Sequence, residues 1–368
     1  MVDFAELVRT VVARGASDLH LTVGAPPVMR LNGDLVPLGT EPLAPKDTRE
    51  LVYGLLTQDQ RQRLETDLEL DLSYAVPGLV RFRVNVYYQR AALGAAFRVV
   101  PTGLKTLEEL GLPPALRDWV NKPRGLVLVT GPTGSGKSTT LASLINEVNE
   151  TRACHIMTVE DPIEFLHRHK RSLINQREVG GDTHSFAAAL RSVLRQDPDV
   201  ILVGELRDLE TMQIALTAAE TGHLVFATLH TSDAPQTIDR VIDVFPPHQQ
   251  EQVRIMLANA LQGVCCQQLI PTTTGARTVA CEVLMPTPAV RNLIREGKTH
   301  QVYSMMQTGS QHGMQSMDAA LAHLVRQGLI GPGMALERAG NAEELRRLLG
   351  LVQPGAVDHD QKGRRRAA

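Results

Sequence analysis

Apolar positions Phe4, Leu7, Val8, Val11 and Val12 recur at helical spacing and predict an amphipathic helix within residues 1–20. The period then changes. SDLHLTVGAPPVMRLNGDLVPL alternates and turns, and Asn32-Gly33 between VMRL and DLVPL predicts a hairpin. Helical spacing returns over 47–66. LDLSYAVPGLVRFRVNVYYQRAALGAAFRVV next alternates over long stretches, which predicts antiparallel strands. Residues 1–100 therefore read as a small α+β domain, and the Pro- and Gly-containing stretch 101–114 as a linker.

From residue 124 short apolar runs alternate with helical patterns: GLVLVTG, ACHIMTVED, DVILVGE and HLVFATLHT. Near-continuous apolar strands separated by helices predict a parallel sheet covered on both faces, in a second domain over 115–345. After residue 246 the pattern is mostly helical. Residues 346–368, ending VDHDQKGRRRAA, lack apolar periodicity towards the end and are expected to form a disordered, solvated tail.

Composition narrows the function. Hydrophobic residues make up 43% and charged residues 21% of 368, which suits a soluble globular protein. A net charge of −2 and 4% aromatics argue against a nucleic-acid partner, which would call for a basic groove and stacking rings. No run of 18 apolar residues and no secretory signal is present, so a cytoplasmic protein is expected. Cys154, Cys265, Cys266 and Cys281 lack metal-ligand spacing and are expected to be reduced thiols packed as small hydrophobes. Only seven of the 38 basic residues are lysines, so a lysine inside a tight motif stands out.

That lysine is Lys137. Gly131-Pro132-Thr133-Gly134-Ser135-Gly136-Lys137-Ser138 fits the phosphate-binding loop pattern and lies between an apolar strand and a helix beginning Ser138-Thr139. Its glycines let backbone N–H groups curl towards phosphate oxygens, and the helix start faces the same anions. Lys137 would neutralise the β- and γ-phosphates of ATP, and Ser138 would place its hydroxyl on Mg²⁺. ILVGELRD offers Glu205 as a carboxylate holding Mg²⁺ through water, with Gly204 before it. In TVEDPIEF, Glu160, Asp161 and Glu164 crowd at a strand end, where an α/β sheet places its ligand crevice, so a water-activating base is sought there. His223 and His230 bracket the strand HLVFATLH and are read as one sensor of the γ-phosphate and one hinge contact, with His230 placed among the catalytic residues and His223 among those that contact the nucleotide.

Together these segments resemble the secretion-ATPase superfamily of type II secretion, type IV secretion and type IV pilus motors. GPTGSGKST resembles its Walker A, TVEDPIEF its Asp box, ILVGELRD its atypical Walker B and TGHLVFATLHT its His box. The likeness is greatest to the pilus-retraction branch. ASDLHLTVGAPPVMRLNG resembles that branch's N-terminal signature and AVRNLIRE (289–296) its retraction motif, with YSMMQTGSQHGMQSMD extending the match. The resemblance implies an N-terminal PAS-like α+β domain and a C-terminal RecA-like P-loop ATPase domain. It implies a homo-hexamer that hydrolyses ATP with Mg²⁺ and drives pilus retraction and twitching motility. Such a motor would sit at the inner face of the cytoplasmic membrane on a pilus platform protein and engage pilin indirectly.

Carried over by position, Lys137 is the Walker A lysine, Glu164 the catalytic glutamate and Glu205 the Walker B acid. Arg83 and Arg98 match N-terminal arginines that reach a neighbouring subunit's phosphates, and Arg240 a further arginine near the nucleotide. An accessory retraction ATPase is an alternative, given the long C-terminus. A pilus-assembly or type II secretion ATPase is another, against which the missing four-cysteine zinc pattern argues. In AVRNLIRE itself, Thr287 can cap, Pro288 suits the first helical position, and Val290, Leu293 and Ile294 form an apolar stripe. Arg291 and Arg295 lie one turn apart on the other side, where they are expected to face a partner.

Overall fold

The computed structural model describes residues 3–100 and 103–351. Asp3 caps α1 (Phe4–Ala13) by accepting from the Ala5 amide, and Leu7, Val8 and Val11 form its buried face. Strands β1 (Asp18–Leu21), β2 (Val28–Leu31) and β3 (Asp34–Pro37) follow. Asn32 and Gly33 join β2 to β3 with φ of 52° and 98°, the left-handed backbone that a two-residue hairpin turn demands. The helical stretch expected over 47–66 forms two helices, α2 (Pro45–Tyr53) and α3 (Gln58–Asp67). The break falls there because Thr57 and Gln60 cap each other's backbone amides and so start a new helix. Strands β4 (Glu69–Val76), β5 (Val80–Gln89) and β6 (Ala92–Val100) complete an antiparallel sheet of order β3-β2-β1-β6-β5-β4.

One face of this sheet buries Leu19, Met29, Phe82, Val84 and Phe97 with Val8, Val52 and Leu64 of the three helices. The other face carries a polar row. Register sets Ser73 beside Arg83, Arg83 beside Arg98, Arg98 beside Asp18, and Asp18 beside Arg30. Two arginines directly opposite repel. Asp18 offsets this by accepting from Arg98 Nε at 2.9 Å. Burial pushes the Asp18 carboxyl up, but the Ser17 and Arg98 hydrogen bonds outweigh it and hold it below its ordinary value.

The second sheet is built from β7 (Gly125–Thr130), β8 (His155–Glu160), β9 (Leu173–Glu178), β10 (Val200–Val203), β11 (Leu224–Leu229), β12 (Leu261–Pro271) and β13 (Arg277–Leu284). Its order is β13-β12-β7-β11-β10-β8-β9, parallel except for the β12–β13 pair. Between the strands run α4 (Arg117–Val120), α5 (Lys137–Thr151), α6 (Phe186–Val193), α7 (Leu209–Thr221), α8 (Ala234–Asp243) and α9 (Pro247–Ala260). Every residue of β7, β10 and β11 is buried, which is why these strands read as unbroken apolar runs. One core packs Leu126, Leu128 and Val225 against α6 to α9; the other packs Val127, Val129 and Phe226 against α5 and Trp119. Leu107 and Leu112 of the expected linker join that second core.

The expectation of mostly helix after residue 246 fails at β12 and β13. Gln262, Gln267 and Gln268 interrupt the apolar pattern of β12, and their tertiary partners, not their periodicity, make it a strand. Cys265 and Cys266 lie in this strand, fully buried, and Cys281 is buried in β13; all four cysteines are free thiols. At the register irregularity between Leu261 and Gly263, Gln262 bulges and donates to the Arg124 carbonyl. Gly263 then lies under the indole of Trp119, where an added Cβ would meet ring atoms at 2.2 Å. Gly263→Ala should therefore destabilise by about 1–3 kcal/mol, the usual range for overpacking. The sole tryptophan is buried at this contact, so denaturation followed by its fluorescence measures the loss directly.

Helices α10 (Pro288–Arg295), α11 (Val302–Thr308), α12 (Met317–Arg326), α13 (Pro332–Arg338) and α14 (Ala342–Leu348) finish the chain. The last three close a small core with Ile270 and Ala280 of β12 and β13. The sequence assigns 346–368 to a tail; α14 extends to Leu348, and residues 352–368 lie outside those described. Thr287 caps α10, and Val290 and Ile294 are buried, as the pattern predicts. The arginines also bind within their own chain. Arg291 Nη1 donates to the Ala258 and Asn259 carbonyls, and Arg295 Nη2 reaches Asn259 Oδ1 at 3.1 Å. Both hold the C-terminal end of α9, whose last carbonyls lack helical donors and attract cations. Burial, and then the Arg295 charge, pull the Arg291 guanidinium below its ordinary value.

Candidate functional site

The loop between β7 and α5 is a compact anion cradle. Gly131 has φ of 137°, and a Cβ there would meet the Gln267 carbonyl oxygen at 2.3 Å and Ser135 Oγ at 2.7 Å, so only glycine fits. Gln267 Nε2 donates to the Ser135 carbonyl at 2.8 Å. Gln267 thus braces the loop from β12. Lys137 Nζ folds onto the Gly131 and Pro132 carbonyls at 2.8 and 3.0 Å. Burial pulls this ammonium below its ordinary value, while Glu205 and Glu164 pull the other way. Buried Ser135 Oγ has no hydrogen-bond partner, so the loop holds an unused polar atom beside the cradle.

A cleft of 420 Å³ opens over this loop. Thr133, Gly134, Gly136, Lys137, Ser138 and Thr139 form its floor. Glu160 and Glu164 enter after β8, Glu205 and Arg207 after β10, and His230 after β11. All these strands present their carboxyl ends to one edge, and the crevice of a parallel sheet forms there. Glu205 is clamped: its Oε1 lies 3.0 Å from His230 Nε2 and its Oε2 2.7 Å from Arg207 Nη2. Burial pushes the Glu205 carboxyl up, but Arg207 and His230 together hold it below its ordinary value. Burial pushes Glu160 up, although it accepts from Thr158, Gln176 and the Glu164 amide. Glu164 is exposed to the cleft. At Gly204 a Cβ would press 3.3 Å on Glu160 Cα and the Val159 carbonyl oxygen, which disfavours any side chain at that position.

The structure thus brings together Lys137, Ser138, Thr139, Glu164, Glu205 and His230, with Pro132 lending a carbonyl. It does not bring His223 there. His223 precedes β11 while His230 follows it, and six strand residues separate them by about 20 Å. The His223 ring nitrogen Nδ1 instead lies 3.0 Å from the Ala218 carbonyl oxygen near the end of α7. Within one chain, then, the expected nucleotide contact of His223 is not made. Arg240 is exposed near the end of α8 and Arg83 and Arg98 stand on the N-terminal sheet; none lines the cleft. Sequence reasoning overlooked Arg207, Gln267 and Arg277. Arg207 is visible in ELRD as a cation two residues from Glu205, the distance at which strand-end side chains meet. Arg277 enters from β13, and no local signal marks it.

Residues 62–331 match the model of the type II/IV secretion system protein family. The chain is similar to the type IV pilus retraction ATPase PilT of Pseudomonas aeruginosa, with 52% identity over 92% of this chain and 98% of that protein. It is also similar to the type IV pilus ATPase PilU of the same organism, at 42% identity over 97% of this chain and 94% of that one. Among solved structures, the pilus retraction motor PilT with bound ADP superposes with a TM-score of 0.89 and 50% identity, covering 94% of this chain and all of that one.

Proposed function

Since this chain belongs to the type II/IV secretion system protein family, we propose that it is an ATP-hydrolysing motor that drives retraction of a type IV pilus. One observation carries this reading: Lys137, Glu164, Glu205 and His230 converge on one cleft in a chain that matches a retraction ATPase over nearly its whole length. The lower identity to PilU favours the principal over the accessory role.

The triphosphate lies over the Gly131–Ser138 loop, with Lys137 swinging from its carbonyl contacts to the β- and γ-oxygens. A second cavity of 390 Å³ shares Gly136, Thr139, Leu269 and Arg277 with the cleft, and its apolar Leu110, Leu112 and Val279 suit a flat base. Ser138 and, through water, Glu205 supply the oxygen ligands that a hard cation such as Mg²⁺ takes, and the ion would neutralise charge on the phosphates. Glu164 would be the general base for the attacking water, the role the resemblance implies for it: it is exposed to the cleft, whereas Glu205 is clamped by Arg207 and His230. His230 holds Glu205 in place and senses the γ-phosphate beside it.

Arg83 and Arg98 stand outside the cleft of their own chain, and this supports their action across a subunit boundary in a ring, six-membered as in the resemblance. Arg240 would serve the same boundary. Mixing Arg83→Ala subunits with Lys137→Ala subunits should then restore part of the lost ATPase activity, because some interfaces pair an intact arginine with an intact loop. No restoration in steady-state assays of the mixture would place Arg83 in its own chain's chemistry. Among the described residues no helix is long and apolar enough to cross a membrane, so attachment to the inner face of the membrane would run through a platform protein.

Removing the gene tests the function. Cells should keep or gain surface pili and lose twitching. Loss of pili would make the chain an assembly ATPase; unchanged twitching would make it an accessory one.

A further inference from the structure

Glu178, the last residue of β9, is 9% exposed and accepts three hydrogen bonds. Two come from the N-terminal sheet: Ser73 Oγ of β4 at 2.8 Å and Arg81 Nη2 of β5 at 2.8 Å. The third comes from the Ile163 amide at 3.0 Å, onto the same Oε2 atom. Ile163 is buried and immediately precedes Glu164. Register places Glu178 beside Glu160 at the strand ends, so the Glu178 carboxylate anchors the short segment that carries Glu164.

We propose that Glu178 is a positioning residue of the ATPase reaction, tying the backbone beside Glu164 to Arg81 and Ser73 so that the seating of the N-terminal domain sets where the Glu164 carboxylate points. The inference rests on the ATPase reading and deepens it. The ion pair is mostly buried, with side chains 17% and 12% exposed, so it holds one geometry and is little screened by salt. When the N-terminal domain lifts away, Glu178 loses two of its three donors and the Ile163 amide loses a fixed acceptor. An ångström of drift at a catalytic base is enough to slow chemistry by up to about a hundredfold. Arg81 therefore differs from Arg83, two residues on and on the same sheet face: Arg81 acts inside its own chain, upon the base and not upon phosphate.

The test uses the assembled full-length chain. ATPase rates across ATP concentrations and binding of a fluorescent ADP analogue are measured for wild type, Arg81→Ala, Arg81→Lys, Glu178→Gln and the Arg81→Ala/Glu178→Gln double variant. Each of Arg81→Ala and Glu178→Gln should lower kcat about tenfold with ADP affinity within twofold. Arg81→Lys should recover most of the rate, and the double variant should be no slower than the slower single one, because both break one link. Unchanged kcat in the single variants, or losses that multiply in the double variant, would overturn the proposal. So would a parallel fall in kcat, ADP affinity and melting temperature that Arg81→Lys does not mend. Should Glu178→Gln fail to fold, Arg81→Ala and Arg81→Lys decide alone, since they leave the Ile163 bond in place. A wild-type chain without turnover would instead refute the ATPase reading itself.

Discussion

Lys137→Ala loses steady-state ATP hydrolysis by a factor of about 100 or more while keeping its fold. Removing one preorganised charge-stabilising donor from an active site costs two to three powers of ten in kcat. Lys137 Nζ bonds only to the Gly131 and Pro132 carbonyls, so truncation takes no residue out of the core. The loop keeps its shape because Gln267 still braces Ser135 from β12. The check is a pair of measurements on one sample, phosphate release and thermal unfolding. Wild-type turnover with an unchanged melting point would remove Lys137 from the mechanism, and with it the reading of the cradle.

Glu164→Gln should bind ATP and turn over about 100- to 10,000-fold more slowly, the range for loss of a general base. The amide keeps the size of the carboxylate, and the Ile163 amide just before it remains held by Glu178. Glu205→Gln makes the contrasting case. Its carboxylate bridges Arg207 and His230, so the amide leaves two donors facing a weaker acceptor. That variant should lose Mg²⁺-dependent nucleotide affinity along with rate, whereas Glu164→Gln should lose rate alone. Titrating ATP and Mg²⁺ separately tells them apart. Normal hydrolysis by Glu164→Gln beside a dead Glu205→Gln would exchange the two roles.

The cradle was legible because all its parts are local: a strand, a turn of glycines and a helix start follow one another within twenty residues. The carboxylates after β8 and β10 were legible because a parallel sheet sends strand ends to one edge. Periodicity could not reveal β9, in which Asn175, Gln176, Arg177 and Glu178 run together, because their partners lie in other segments. Gln267 and Arg277 were hidden for a similar reason: their strands reach the cradle only after β12 pairs with β7 and β13 with β12. His223 lies away from the cleft because a strand has direction and only the carboxyl end of β11, where His230 stands, meets it. In α10 the stripe of Val290 and Ile294 was read correctly; the bonds of Arg291 and Arg295 to α9 were not legible, because the open carbonyls of α9 are invisible in a sequence.

The clamp of Arg291 and Arg295 on α9 changes how a genetic result at this motif must be scored. Helix α9 runs into β12 without a connecting loop, and β12 carries the brace on the phosphate loop. A non-motile strain carrying both arginine substitutions would therefore merge two defects, a lost docking contact and a slackened nucleotide cradle. Asn292 and Glu296 separate them. Both are exposed, and among the described residues neither hydrogen-bonds to α9; Asn292 Nδ2 donates to Glu296 Oε1 at 2.7 Å, and Glu296 Oε2 pairs with Lys298 Nζ at 2.7 Å. Motility lost at that pair, with hydrolysis intact, is the phenotype that would report contact with a partner and nothing else.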